Sequence, residues 1–288
     1  MTRKNFRIAH VLIVIGLLIS SGVGVLYNTI RFDIEATNVY GDVVTLFGRG
    51  IYAYESAFQG PIFVGTDLVI FVLAMFYILI VFTFKRSLFK ALIISGFLTV
   101  FLYYTASLAF GTMMNRLFLV YIATFGLVLF TFIDHLLKLD YQHLKESLAD
   151  KTLPKGLKVL LIIMAVSVSV WFFELAELII ENRPSSLIGI KSTEPTYIFD
   201  LAIIAPACFI AVYQLKRNHP FGVVLSVMLL SLLVAIGGIV ISQTLVQSYF
   251  GVEVALLEMV LFVFSFAALS GVALLYLVLL LNTCLRNT

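Results

Sequence analysis

The chain has 288 residues, of which 61% are hydrophobic and 12% charged, with a mean hydropathy of +1.09 and a net charge of +3. A soluble domain is about 45–50% apolar and about 25% charged, and in water a fold of this size still needs a wettable surface. The composition therefore excludes a water-soluble globular domain, a disulfide scaffold, a disordered chain, a coiled coil and a nucleic-acid binder, and leaves a polytopic helical membrane protein.

The basic N-terminus (Arg3, Lys4, Arg7) leads into an apolar run from Ile8 to Tyr27. That run is near membrane-spanning length and no small-x-small cleavage pattern follows it, so it reads as an uncleaved first helix. Seven further segments qualify as spans: Leu68–Phe84, Phe89–Phe110, Leu117–Leu137, Leu157–Ile180, Tyr197–Leu215, Phe221–Ile241 and Leu256–Leu281. Each must be helical, because an isolated strand leaves its backbone unsatisfied in lipid. Between the first two spans lies a long loop, residues 28–67. There Val44, Phe47, Ile51, Tyr54 and Phe58 recur at helical spacing, which predicts an amphipathic helix in the interface or a lid. Gly48 and Gly50 weaken that helix.

Lys and Arg set the orientation. With the N-terminus in the cytoplasm, 14 basic residues fall inside and 5 outside (Arg31, Arg49, Arg116, Arg183 and Lys191). Both termini are then cytoplasmic. The chain also reads as duplicated: 1–137 and 158–288 each hold four spans, joined by a polar cytoplasmic hinge at 138–157 that ends in Pro154-Lys155-Gly156. The second span of each half opens on an acid, in Thr66-Asp67-Leu68 and Phe199-Asp200-Leu201, and closes on a Lys-Arg pair. Four spans per half give a parallel repeat about an axis along the membrane normal.

Candidate functional residues are acids in apolar surroundings. Glu174, Glu177 and Glu181 share one face of the fifth span. Glu174 lies roughly 9 Å below the outer helix end. A carboxylate facing lipid there is costly, so the face should turn toward the bundle or a hydrated cavity. The bland reading pairs these acids with Arg183, Arg116 or Arg31. Asp67 and Asp200 occupy equivalent places near predicted helix N-termini, where capping is the preferred reading and ion or proton binding the alternative. Glu258 and Arg116 lie at similar depth, and Leu256 stands where the first half has Arg116.

Cys208 and Cys284 form no C-x-x-C motif, and the four histidines make no His-Glu-x-x-His pattern or buried axial pair. No metal, haem or other cofactor is expected, and no base–nucleophile pair for an enzyme. The segments Tyr40-Gly41-Asp42-Val43-Val44, Gly65-Thr66-Asp67 and Asn115-Arg116-Leu117-Phe118 resemble a group of bacterial multi-pass membrane proteins of unassigned function. The resemblance runs over most of the chain and implies a bacterial cytoplasmic membrane. It implies no activity. Three readings remain open: a carrier of a small solute or cation using outer-half carboxylates, a non-catalytic accessory, sensor or immunity-type protein with a membrane protein partner, and, behind these, an intramembrane enzyme, for which a base–nucleophile pair is missing. In all three, the bilayer is a partner.

Overall fold

A computed structural model describes residues 3–27, 34–83, 87–149, 151–185, 188–254, 256 and 259–285. Within them, eight helices are long and apolar enough to cross a membrane. The helices are α1 (Arg3–Leu26), α2 (Gln59–Thr83), α3 (Leu88–Gly111), α4 (Phe118–Leu137), α5 (Tyr141–Ser147), α6 (Leu157–Val168), α7 (Trp171–Glu181), α8 (Pro195–Phe199), α9 (Ala205–Lys216), α10 (Pro220–Tyr249) and α11 (Ser265–Leu285). Spans five and six are each composite, α6 with α7 and α8 with α9. The expected number of spans stands, and several boundaries move.

The second and eighth spans change most at their starts, by nine residues each, the eighth from Leu256 to Ser265. The second span matters more for the site. It starts at Gln59, not at Leu68. Ser56 Oγ accepts the Gln59 N–H at 3.1 Å and so caps the helix. Pro61 is tolerated in the first turn, where its missing N–H has no helical partner to lose. Asp67 therefore lies about 12 Å inside the helix, not at its N-terminus. The sixth span likewise starts at Pro195, capped by Glu194, whose Oε1 accepts the Thr196 hydroxyl at 2.8 Å.

The long loop is not an amphipathic helix. Its described part folds as an antiparallel hairpin, β1 (Glu35–Thr37) on β2 (Val43–Thr45), with Thr37 opposite Val43. β-Branched residues in Val43-Val44-Thr45 suit a strand, and Gly41 at φ +90° makes the return. A single 3-10 turn, Gly50–Tyr52, follows and buries Ile51 and Tyr52. Phe47 packs edge-on against Phe250 just beyond the end of α10, with ring centroids 5.0 Å apart. The hairpin segment thus closes one end of the bundle.

The longest helix, α10, has 30 residues and is buried along most of its first half. An all-round apolar helix of this kind belongs in the centre of a bundle. It packs against α2, α3, α9 and α11. Small residues let it come close: a Cβ on Gly65 of α2 would meet the Gln243 backbone at 2.5 Å, and one on Gly96 of α3 would meet Ser231 Oγ at 2.3 Å. Polar links hold the α2 seam, with Ser242 Oγ donating to Gly65 O at 2.7 Å and Gln243 Nε2 to Thr66 Oγ1 at 2.8 Å. At the opposite end the segment after α4 docks on α11: Lys151 Nζ donates to Thr283 O and Tyr276 Oη to Lys155 O, both at 2.8 Å.

Candidate functional site

Asp67 is fully buried. Its Oδ2 accepts from Tyr52 Oη at 2.7 Å and its Oδ1 from Tyr104 Oη at 2.6 Å. Three elements meet here: the 3-10 turn brings Tyr52, α3 brings Tyr104, and α1 brings Gly24. A Cβ on Gly24 would sit 1.7 Å from Asp67 Oδ2, so only glycine lets the carboxyl lie against α1. No Lys, Arg or His among the described residues pairs with Asp67. A carboxyl inside an apolar span is thus held by neutral donors alone, where burial of the charged form is most expensive.

Asp200 repeats this chemistry. It is buried, and accepts from Tyr103 Oη at 2.9 Å and from Trp171 Nε1 at 2.7 Å. The Trp171 indole stacks on Tyr197 with centroids 4.7 Å apart. Asp200 opens a π-helical segment, Asp200–Ile204, where the Ala205 N–H reaches back to Asp200 O. Pro206 follows. It cannot donate to the carbonyl four residues earlier and its ring would collide with it, and the wide turn relieves that conflict. A second π segment, Met259–Phe264, precedes α11.

The fifth span is interrupted beside this site. After Val168 the backbone tightens to three-residue bonds, such as Phe172 N–H to Ser169 O at 3.1 Å, before α7 begins at Trp171. A cleft of about 490 Å³ opens between this break (Ser167, Ser169, Val170) and the start of α11 (Ser265, Phe266, Leu269). Val170 and Phe172, which line it, flank Trp171, the residue that holds Asp200.

The other expected site residues are dispersed. No residue of α7 is buried. Glu177 and Glu181 are exposed, and Glu174 is half-buried with an Oε2 that is out of solvent contact and lacks a hydrogen bond to any described residue. The arginine pairs offered for them are not made: Arg183 pairs with Asp42, Arg116 is exposed without an ion pair to a described residue, and Arg31 lies outside the described residues. Glu258 also lies outside them.

Over Asp67 sits a buried ion pair that the sequence reading missed. Glu55 is 1% exposed; Lys191 Nζ lies 3.4 Å from its Oε2, and the Met113 N–H donates to its Oε1 at 2.6 Å. Burial pushes the Glu55 pKa up, while Lys191 and the Met113 N–H pull it down; the net direction is upward. The same ammonium sits 4.7 Å from the Phe63 ring, which stacks on Tyr52 at 5.1 Å. Lys191, Phe63, Tyr52 and Asp67 thus form a continuous column. Tyr103 and Tyr104, adjacent in an apolar run, were the available signal for this site, since a buried tyrosine hydroxyl needs a partner.

Among the described residues no group of three or more His, Cys, Asp or Glu could hold a metal ion, and Cys208 and Cys284 are free and buried. The fold and composition define a multi-pass membrane protein. No family model, curated protein or solved structure matches the chain.

Proposed function

We propose that the protein is a carrier that moves a small solute or ion across the membrane, with Asp67 and Asp200 as the acids that bind a proton or a cation on the way. One observation carries this reading. Two carboxyl groups inside apolar spans are each held by two aromatic donors, with no basic partner among the described residues. A structural acid in a membrane is ordinarily paired with a base, whereas an unpaired one marks a pathway for protons or ions. The cleft beside Trp171 and the broken fifth span fit the same reading, because interrupted helices bound binding sites in carriers. Glu174, half-buried on α7 with an oxygen that lacks a described partner, is a further candidate acid. Glu177 and Arg116, both exposed, complete the candidate set among the described residues.

In this reading the chain lies in a cytoplasmic membrane with both termini inside, and its halves 1–137 and 158–288 are parallel repeats. The charge asymmetry supports the orientation. A buried acid in the second span of each half, Asp67 and Asp200, supports the repeat. The mechanism has no covalent step and no cofactor.

The test uses purified protein in liposomes with a trapped pH dye, driven by a potassium diffusion potential. Flux above empty liposomes is expected, falling at least tenfold in Asp67→Asn and in Asp200→Asn. Wild-type flux equal to that of empty liposomes, or unchanged in both variants, overturns the reading. A second reading, an accessory or sensor protein, rests on exposed apolar residues on the hairpin segment: Val39, Val43 and Tyr54. Crosslinking in native membranes should then capture a stoichiometric partner through that segment.

A further inference from the structure

We propose that His10 is a reversible proton-binding site at the end of the bundle opposite the hairpin, serving the same passage as Asp67. Its place in a passage rests on the carrier reading above; proton binding itself does not.

His10 is fully buried. It lies only about 6 Å into the first span, which begins at Phe6. Its Nδ1 is 2.5 Å from Tyr77 Oη. Its Nε2 is buried and has no hydrogen-bond partner among the described residues. A histidine kept only for packing is ordinarily satisfied at its buried nitrogens. Here one nitrogen is fixed and the other is open. With the hydrogen on Nδ1 donated to the Tyr77 oxygen, Nε2 presents its lone pair. A proton from water at this end adds to Nε2 and gives the imidazolium. Loss of the same proton restores the neutral ring.

The groups around His10 come from every neighbouring helix. Arg7, on α1, lies over Phe82 at 5.7 Å. Tyr77 comes from α2. Lys90, from α3, donates its Nζ to Val81 O at 2.6 Å. Asp134 and His135, from α4, complete the electrostatic surround. His135 Nε2 lies 3.0 Å from both Ser95 Oγ and Ala91 O, so this imidazole is engaged where that of His10 is open.

His10 and Gly24 lie on the same buried stripe of α1, 14 positions and about 21 Å apart, and Gly24 backs Asp67. Between them Ile13 and Leu17 are fully buried. About midway, Thr124 Oγ1 occupies the space a Cβ on Gly16 would need, and nearer Asp67, Ser20 Oγ is buried without a described partner. Two titratable sites are thus separated by a stretch that holds isolated hydroxyls but, among the described residues, no further titratable group on α1. That arrangement suits stepwise transfer gated by a conformational change, and it blocks an open proton leak.

The test is solid-state NMR of the full chain with nitrogen-labelled histidine in phosphatidylcholine–phosphatidylglycerol liposomes, titrated over roughly pH 4 to 9. His10→Gln assigns the signal. A neutral ring with its hydrogen on Nδ1, converting reversibly to imidazolium, is expected, with the midpoint moved by about half a pH unit or more in Tyr77→Phe. A ring locked with its hydrogen on Nε2, or one that never titrates, overturns the proposal. The dye assay separates this from the carrier reading. Flux lost in both Asp67→Asn and His10→Gln supports the shared passage. Flux lost in Asp67→Asn but retained in His10→Gln refutes the role of His10 and leaves the carrier standing. Absent wild-type flux with a titrating His10 removes the carrier and keeps the proton site.

Discussion

Tyr103 and Tyr104 are consecutive residues of α3, yet they donate to different buried carboxyls, Tyr103 to Asp200 at 2.9 Å and Tyr104 to Asp67 at 2.6 Å. Neighbours on a helix point about 100° apart, so α3 stands as a wedge between two acid sites contributed by spans two and six. Each hydroxyl donates to a group that carries or can carry charge, a bond worth about 1.5–3 kcal/mol. Tyr104→Phe and Tyr103→Phe should each lower stability by about that amount, since each carboxyl keeps one other donor, Tyr52 on Asp67 and Trp171 on Asp200, both at 2.7 Å. Thermal unfolding in nanodiscs measures both. A double-mutant cycle of Tyr104→Phe with Asp67→Asn should recover a coupling of at least about 1 kcal/mol. Full additivity would remove the bond as a source of stability.

Gly24 tests how tightly the Asp67 site is built. A Cβ there would sit 1.7 Å from Asp67 Oδ2 and 3.1 Å from the Tyr52 ring. Neither neighbour can yield without giving up a hydrogen bond, so Gly24→Ala should destabilise by about 2–3 kcal/mol, against a helix-propensity gain of roughly 1 kcal/mol. Shortening the acid should relieve the clash: Gly24→Ala combined with Asp67→Ala should be more stable than the sum of the single variants implies. Equal penalties with and without the Asp67 side chain would show that the clash lies elsewhere.

The spans were readable from the sequence because an apolar run of about 20 residues has one solution in lipid. Helix ends were less so. Gln59-Gly60-Pro61 reads as loop, yet Ser56 caps it and Phe47 fills the space beside Gly60, so the helix starts eight residues before Asp67. The loop hairpin was missed because Val44, Phe47 and Ile51 satisfy a helical period by accident, while glycines 41, 48 and 50 take positive φ values that a helix cannot use. Of the candidate acids, Asp67 and Asp200 were visible as charges in apolar runs. Their donors were not, since Tyr52, Tyr103, Tyr104 and Trp171 reach them across the fold. Buried Glu55 was invisible for the same reason: Lys191, its partner, lies 136 residues away.

Two links between the hairpin segment and the loop after α7 look alike and should behave differently. Arg183 pairs with Asp42 where both side chains are more than a third exposed. Solvent and salt screen such a pair, so Arg183→Ala should change stability by no more than about 0.5 kcal/mol. Asn38 is buried. Its Nδ2 donates to Gly189 O at 3.0 Å, and its Oδ1 accepts the N–H groups of Tyr40 at 3.0 Å and Asp42 at 2.9 Å. Asn38→Ala strands those groups and should cost about 2 kcal/mol. Hydrogen exchange should then rise across residues 34–46 in Asn38→Ala and stay unchanged in Arg183→Ala. Equal exchange in the two variants would mean that the buried amide does not hold the hairpin.

Glu55 gives the fold a pH dependence of defined sign. Its pKa is raised above the ordinary 4.5 by burial, against the opposing pull of Lys191 and the Met113 N–H. Between the ordinary and the raised value the folded chain binds more protons than the unfolded chain. The protonated carboxyl therefore stabilises most fully below the ordinary value, and that contribution is lost as pH rises through the raised one. Glu55→Gln keeps the shape and removes the titration, so its melting temperature, referred to wild type, should gain as pH increases across this window. Lys191→Met removes the cation that holds the pKa down. The upward shift should grow, and the loss of stability should extend to higher pH, with a penalty of about 3 kcal/mol for the unpaired buried carboxylate. Melting curves of the three proteins from roughly pH 4 to 8 check the signs together. A Glu55→Gln profile parallel to wild type would assign the pH dependence to other groups.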